Sequence, residues 1–180
     1  MNEAGTIGRK DLARKIQDRC LLSGNFMLRS GVESNEYFDK YLFESDPALL
    51  KAVSEELRRS VPRDTEVIAG LELGGIPLAV MLSSLTGIPS AFVRKQAKEY
   101  GTLKLAEGAE IAERRVLLVE DVVTSGGQVI LSAKALRELG AHLDTVLCVI
   151  DRESGGSEAL SREGLTLNSL FTRSELIGGG

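Results

Sequence analysis

The stretch RRVLLVEDVVTSGGQVI, residues 114–130, decides the fold because three patterns follow one another within it. Its four aliphatic residues, VLLV at 116–119, are typical of a parallel strand that helices cover on both faces. Two adjacent acids, Glu120 and Asp121, end this apolar run, and Thr-Ser-Gly-Gly at 124–127 leads into a helical pattern. The stretch therefore predicts a strand, a glycine-rich turn and a helix in succession, as in an open α/β sheet.

Strand-like and helix-like segments alternate along the rest of the chain. In SDPALLKAVSEELRRS, Asp46 is expected to be the N-cap of a helix and Pro47 its first residue. The other expected helices are RKDLARKIQDRCLL, IPLAVMLSSLTG, SGGQVILSAKALRELG and two short ones near the end. The expected strands are GNFMLRSG, EYFDKYLF, EVIAG, PSAFVR, RRVLLVE, LDTVLCVID and one edge strand in the tail. The polar segment 95–113 has no clear period and is expected to be a long mobile loop.

Composition restricts the function classes. The 180 residues fit one domain, and 22 basic against 26 acidic residues give a net charge of −4, which predicts neither nucleic-acid nor membrane partners. No apolar run approaches the roughly 18 residues of a membrane span. Cys20 and Cys148 sit in apolar segments and are expected to be buried, reduced thiols, so we predict a cytoplasmic protein. The single histidine, His142, is expected on the surface, and a zinc cluster or histidine-dependent triad is not expected.

The acids and the turn of residues 120–127 can serve one ligand. Backbone N–H groups at a helix N-terminus beside glycines form a phosphate site, and neighbouring carboxylates suit the vicinal hydroxyls of a ribose. Such acids would also stabilise positive charge that develops on the sugar. The alternative is that Thr124 or Ser125 only caps the helix and that the acids are solvated.

VLLVEDVVTSGGQ resembles the phosphoribosyl-diphosphate (PRPP) binding signature of the type I phosphoribosyltransferases. The resemblance implies an α/β fold with a central, mainly parallel sheet flanked by helices and a small N-terminal hood, built partly from residues 1–45. By resemblance, Glu120 and Asp121 face the ribose hydroxyls and the residues from Thr124 to Gln128 hold the 5-phosphate. The implied PRPP-binding residues of this segment are Glu120, Asp121, Val122, Val123, Thr124, Ser125, Gly126, Gly127 and Gln128.

FVRKQAKEYG contains the densest basic cluster in the middle of this acidic chain, formed by Arg94, Lys95 and Lys98. A solvated, charged loop is the alternative. The segment is similar to the mobile catalytic loop of orotate phosphoribosyltransferases, with Tyr100 where a histidine is usual. The resemblance implies that Arg94, Lys95, Lys98 and Tyr100 bind PRPP, that Lys98 is catalytic together with Asp121, and that the loop is exchanged across a homodimer. A closing loop would exclude water, because PRPP could otherwise be hydrolysed.

GNFMLRSGVESNEYFDKYLF resembles the N-terminal signature of the same enzymes, with Arg29 at the basic position and Tyr37 and Phe38 as the aromatic pair. Arg152 follows a buried strand and suits a bidentate contact with a carboxylate, and it falls where the family places an orotate-contacting arginine. The implied orotate-binding residues are Arg29, Tyr37, Phe38, Thr124 and Arg152. Lys40 is either a further site cation or solvated, and Gly74 stands where many of these enzymes have a lysine.

Together these resemblances imply a magnesium-dependent orotate phosphoribosyltransferase. It would convert orotate and PRPP to orotidine 5′-monophosphate and diphosphate in pyrimidine nucleotide synthesis, with Mg²⁺ held mainly by the substrate and water rather than by protein ligands. The alternatives are a type I enzyme for a purine or another base, and a non-catalytic regulator that keeps the fold. The basic loop and the LRSG–YF segment favour the orotate enzyme.

Overall fold

The structure is a computed structural model that describes residues 7–27, 31, 33–96 and 104–177. The helices of this part are α1 (Arg9–Cys20), α2 (Tyr41–Glu44), α3 (Pro47–Leu57), α4 (Gly75–Thr86), α5 (Gly127–Glu138), α6 (Gly156–Arg162) and α7 (Arg173–Ile177), with a 3₁₀ turn at Arg58–Ser60. The strands are β1 (Leu21–Met27), β2 (Glu33–Phe38), β3 (Val67–Leu71), β4 (Ser90–Val93), β5 (Ala106–Gly108), β6 (Val116–Val123), β7 (Thr145–Asp151) and β8 (Thr166–Thr172).

Six strands form the central sheet in the order β5-β4-β3-β6-β7-β8. All neighbouring pairs are parallel except β4 and β5, which are antiparallel. The predicted α/β fold with a central, mainly parallel sheet is confirmed. Strand β6 lies between β3 and β7 and is therefore a central strand of the sheet. Its carboxyl end lies at the middle of the sheet edge at which ligands of open α/β folds bind.

The core lies on both faces of the sheet, as the apolar VLLV run predicts. Leu117 packs on the face covered by α1, α3 and α4, whereas Leu118 packs on the opposite face with residues of α5 and α6. Both side chains are almost completely buried. Burial of such a leucine contributes about 1.5–3 kcal/mol, so the register of β6, and with it the position of the two acids, is strongly fixed.

Helix α3 begins as its sequence predicts. Asp46 Oδ1 accepts hydrogen bonds from the backbone N–H groups of Ala48 at 2.9 Å and Leu49 at 3.1 Å. Pro47 occupies the first helical position, where its missing N–H costs nothing. The helix buries Val53 and Leu57 against the sheet.

The N-terminal part adds a separate two-stranded antiparallel sheet of β1 and β2. The prediction that EYFDKYLF is extended was wrong for its second half, which forms α2. There Asp39 Oδ1 accepts a hydrogen bond from Tyr41 N at 3.1 Å, and the resulting turn directs Phe43 into the core, where it is fully buried. Side-chain capping of a turn by aspartate competes with strand pairing at such positions.

The stretch 95–113 is not a loop throughout. Residues Ala106–Gly108 form β5 on β4, and Arg94 N donates a hydrogen bond to Leu105 O at 2.9 Å. Leu105 and Ala106 pack against the core cluster that contains Ile111. The periodicity of so short an edge strand is too weak to be recognised in the sequence.

Both cysteines, Cys20 and Cys148, are buried free thiols, as predicted. His142 is exposed, and its backbone forms an isolated β-bridge with Arg115. None of the helices in the described ranges has the length and apolar character that crossing a membrane requires.

Candidate active site

The carboxyl edge of the parallel strands brings most of the predicted site residues together. Strand β6 carries Glu120 and Asp121 near its carboxyl end, continues to Val123 and leads into the turn at 124–126. Strands β3, β4 and β7 deliver the segments that begin at Glu72, Arg94 and Arg152. Three predicted residues, Arg29, Lys98 and Tyr100, lie outside the described residues.

The turn before α5 leaves the first backbone N–H groups of the helix without a side-chain cap. Gly126 is the N-cap residue with φ +76°, a conformation that favours glycine, and no side chain caps this end. Thr124, Ser125 and Gly127 are exposed. The alternative that Thr124 or Ser125 caps α5 is therefore wrong, and the uncapped amides fit a phosphate.

The segment that follows β7 holds the turn before α5 in place. Arg152 N donates a hydrogen bond to Val123 O at 2.8 Å. A side chain at Gly156 would come within 2.5 Å of Thr124 O, so only glycine permits this close approach of the two backbones. The turn and the start of the segment carrying Arg152 are thus held by main-chain contacts.

Asp121 is a fully buried carboxylate paired with Lys40. Its Oδ1 accepts hydrogen bonds from Val122 N at 2.6 Å and from Lys40 Nζ at 2.9 Å, and Lys40 Nζ lies 2.7 Å from Oδ2. Burial alone would raise the pKa of Asp121, but hydrogen bonds with Glu120, Glu44 and Lys40 outweigh burial and lower it. Of the two interpretations of Lys40, the structure supports the site cation.

Lys40 is correspondingly held in its charged form. Burial alone would lower the pKa of Lys40, but the hydrogen bond and the charge of Asp121 reverse this and raise it. About a third of the Lys40 side chain is exposed.

Glu120 differs from its neighbour in charge state. It is 8 % exposed, and its Oε1 accepts a hydrogen bond from Asp121 N at 3.1 Å. Burial, followed by the hydrogen bond and the charge of Asp121, raises the pKa of Glu120 to about 9. The raised pKa of Glu120 and the lowered pKa of Asp121 make Glu120 the better hydrogen-bond donor, and Asp121 the better acceptor, for vicinal hydroxyls.

The basic segment begins at this edge. Lys95 N donates a hydrogen bond to Glu72 Oε1 at 2.6 Å, which ties the start of the segment to the end of β3. Arg94 Nε is buried and has no hydrogen-bond partner in the described ranges. A buried guanidinium N–H without a partner can donate to an anionic ligand.

A cavity of about 210 Å³ brings the predicted base-binding residues together. Tyr37, Phe38 and Arg152 line it, with Ser34 and Arg173. Tyr37 packs on Phe26 with ring centroids 5.4 Å apart. Arg173, a second cation at this cavity, was missed because nothing in the tail sequence relates it to β7. Thr124 is not among the lining residues.

Gly74 and Glu44 complete the surroundings of Asp121, and Glu44 was also missed. A Cβ at position 74 would overlap Asp121 Oδ2 and lie 2.9 Å from Glu44 Oε1. The site therefore has no room for a lysine at position 74 while Asp121 keeps this position. The four-residue spacing of Lys40 and Glu44 was a usable signal, because it places both on one helix face.

A family model of the phosphoribosyl transferase domain matches residues 45–166, which is more than half of the chain. The matched range contains β3, β4, β6 and β7 with the turn of residues 124–126. It thus includes the predicted ribose and phosphate residues.

Named relatives and solved structures narrow the family. An orotate phosphoribosyltransferase of Nocardioides sp. is 53% identical over 165 residues, which cover 92% of each chain. The Mycobacterium tuberculosis orotate phosphoribosyltransferase, in complex with Fe(III) dicitrate, has a TM-score of 0.85 at 31% identity, over 93% of this chain and 98% of that chain. Its complex with PRPP has a TM-score of 0.81 at 29% identity, with the same two coverages. The chain belongs to the orotate phosphoribosyltransferases, within the type I phosphoribosyltransferase family.

Proposed function

We propose that this chain transfers the 5-phosphoribosyl group of PRPP to orotate, with Glu120, Asp121 and the turn before α5 as the ribose 5-phosphate site. The observation that carries the proposal is the buried acid pair directly beside uncapped helix amides. The product is orotidine 5′-monophosphate, and diphosphate is the leaving group.

Charge placement accounts for most of the catalysis in this proposal. As the bond from C1 to diphosphate loosens, the ribose gains positive charge, and the Asp121 carboxylate stabilises it in a site that excludes water. Arg94, Lys95 and Lys98 neutralise the departing diphosphate, and Tyr100 is a further proposed contact of PRPP. The anionic base attacks C1 from the opposite side, so little proton transfer is needed and positioning dominates.

The cavity lined by Tyr37, Phe38 and Arg152 is the proposed base site. An aromatic wall suits the planar ring, and the Arg152 guanidinium suits the orotate carboxylate in a bidentate pair. Arg29 and Thr124 are further proposed base contacts. Arg173 at the same cavity is a second cation for that carboxylate.

Magnesium enters this proposal as part of the substrate complex. The described residues contain no group of three or more histidine, cysteine or acidic side chains arranged to hold a metal ion. We assign Mg²⁺ to the substrate complex rather than to protein ligands, where it would neutralise charge on the leaving diphosphate.

We also propose a homodimer in which the basic segment carrying Lys98 completes the neighbouring subunit's site, and a cytoplasmic location. Leu73 and Val80 are exposed apolar side chains, at 63 % and 46 %, that a second subunit would bury. Two free, buried thiols suit a reducing compartment.

The decisive assay mixes the chain with PRPP, Mg²⁺ and one base at a time, and follows loss of orotate absorbance or formation of other nucleotides. Orotate is expected to react, and adenine and hypoxanthine are expected not to react. Reaction with a purine but not orotate would show that the base assignment is wrong. Binding of PRPP without turnover of any base would instead indicate a regulator.

A further inference from the structure

One face of α2 surrounds the carboxylate of Asp121. Lys40, directly before the helix, and Glu44, its last residue, are four positions apart and both reach Asp121. Glu44 is 8 % exposed although it follows the core residue Phe43 on a four-residue helix. An acid is buried in this way only where a partner compensates for lost hydration.

Two buried carboxylate oxygens lack a hydrogen donor. Glu44 Oε1 and Asp121 Oδ2 are buried and have no hydrogen-bond partner in the part of the chain that the structure describes. They border the same space above Gly74, since a Cβ there would overlap Asp121 Oδ2 and lie 2.9 Å from Glu44 Oε1. Lys40 Nζ is 2.7 Å from Oδ2, but it is aligned for a hydrogen bond only with Oδ1. The positive charge of Lys40 thus stabilises Oδ2 electrostatically, but Oδ2 accepts no hydrogen bond from the described residues.

A single proton between these oxygens would satisfy both. Burial, then the hydrogen bond and the charge of Asp121, raises the pKa of Glu44 to about 9, so Glu44 carries that proton at neutral pH. The charged and titratable groups that face Glu44 are Lys40, Glu120 and Asp121, together with the buried thiol of Cys20 on α1. Lys40 and Asp121 cancel in charge, and a neutral Glu44 adds none.

We propose that Glu44 is a positioning residue, which donates a hydrogen bond from its carboxyl group to Asp121 Oδ2 and so holds the Asp121 carboxylate towards the ribose. The inference rests on the proposed function of Asp121 as a ribose-binding acid. Lys40 holds Oδ1, Glu44 holds Oδ2, and Gly74 leaves the space in which the two acids meet.

The test compares two variants of Glu44 that differ in hydrogen-bonding ability. Glu44→Gln keeps the shape and an N–H donor, whereas Glu44→Met keeps the length and loses the donor. With orotate and Mg·PRPP, Glu44→Gln is expected to keep kcat within about threefold, and Glu44→Met to lose about 10- to 100-fold in kcat with little change in the KM for orotate. Glu55→Gln and Glu55→Met, the same changes on neighbouring α3, are expected to match the unchanged chain.

The pH dependence of unfolding tests the hydrogen bond without any substrate. Because the pKa of Glu44 is raised on folding, its stabilising contribution is complete below pH 4.5 and is lost as the pH rises towards about 9. Glu44→Gln is expected to remove the part of this pH-dependent loss of stability that Glu44 causes, while the part that Glu120 causes remains. Glu44→Met is expected to unfold more easily than Glu44→Gln at neutral pH.

Each result decides the proposal. Equal kcat values for the Gln and Met variants, or an unfolding profile that Glu44→Gln leaves unchanged, would overturn it. If the chain without substitutions does not convert orotate, the proposed function is refuted. The unfolding measurements would then still show whether Glu44 donates a hydrogen bond to Asp121.

Discussion

At the scale of single residues, the site depends on a charge that is kept away from water. Asp121 has no exposed side-chain surface, and Lys40 is its cation partner. Such a pair contributes little net stability, because desolvation offsets the attraction, but removal of one partner leaves an uncompensated charge. In the proposed mechanism, the pair therefore keeps a carboxylate ionised where positive charge develops on the ribose.

Lys40→Met removes the cation and keeps most of the side-chain stem. We expect kcat to fall about tenfold or more, since a buried Asp121 without Lys40 is protonated more easily. The loss is expected to be greatest at low pH, which steady-state rates between pH 5 and 9 would measure. Lys51→Met, on the exposed face of α3, is the matched control and is expected to change neither rate nor stability. Equal rates for both variants would exclude a site role for Lys40.

Gly74→Ala places a methyl group on the Asp121 carboxylate. The added Cβ overlaps Oδ2, so the acid must move, and a forced shift of this kind costs about 1–3 kcal/mol. We expect the KM for PRPP to rise and kcat to fall while the chain still folds, measured by steady-state kinetics and circular dichroism. In Gly8→Ala the nearest atom to the new Cβ is Asp11 Oδ2 at 3.9 Å, and this control should behave like the unchanged chain. A fully active Gly74→Ala variant would contradict the position of Asp121.

At the scale of elements, local rules determine how the strands and helices begin and end. The Asp46-Pro47 pair starts α3, and α3 packs on α4 and supports the face of the sheet that carries Leu117. A good N-cap matters more for a helix of only 11 residues than for a long one, because few hydrogen bonds hold it.

Asp46→Ala removes both side-chain cap hydrogen bonds of α3. We expect the free energy of unfolding to fall by about 1 kcal/mol, measured by urea denaturation at neutral pH. Activity below the melting range is expected to stay unchanged, since Asp46 does not touch the site. Asp18→Ala, an exposed aspartate on α1, is the control and should not destabilise the chain. A similar loss in both variants would show that the cap contributes nothing specific.

The same scale shows what could be predicted from sequence. Strand β6, its two acids and the glycine turn were predictable because their pattern is local. A continuous apolar run, typical of a strand that is buried on both faces, is followed directly by turn residues. Helix α2 and strand β5 were not, because Asp39 capping and pairing with β4 override weak local preferences. The contact of Asp121 with Lys40 spans 81 positions, and only the folded chain brings the two together.

At the scale of the whole molecule, the proposed loop exchange makes each active site a product of two subunits. Closed dimers with twofold symmetry are the commonest soluble assemblies. Lys98 and Asp121 would then act at one site from different chains.

Two inactive variants should restore each other. Lys98→Ala and Asp121→Asn are each expected to lose about 100-fold or more in kcat. After the two are unfolded and refolded together, random pairing gives half heterodimers with one intact site each, so about a quarter of full activity is expected. Steady-state rates of the mixture measure it, with each variant refolded alone as control. A mixture no more active than its components would refute the exchange, and sedimentation would show whether the dimer exists.

The main-chain link between the segments after β6 and β7 has a consequence for how specificity can change. The hydrogen bond from Arg152 N to Val123 O and the close approach at Gly156 hold the segments that carry the proposed sugar and base sites together through backbone atoms. Side chains at the base cavity can then be exchanged without moving the carbon that reacts. In this chain, substitutions that admit a new base would therefore be separable from substitutions that affect the transfer chemistry.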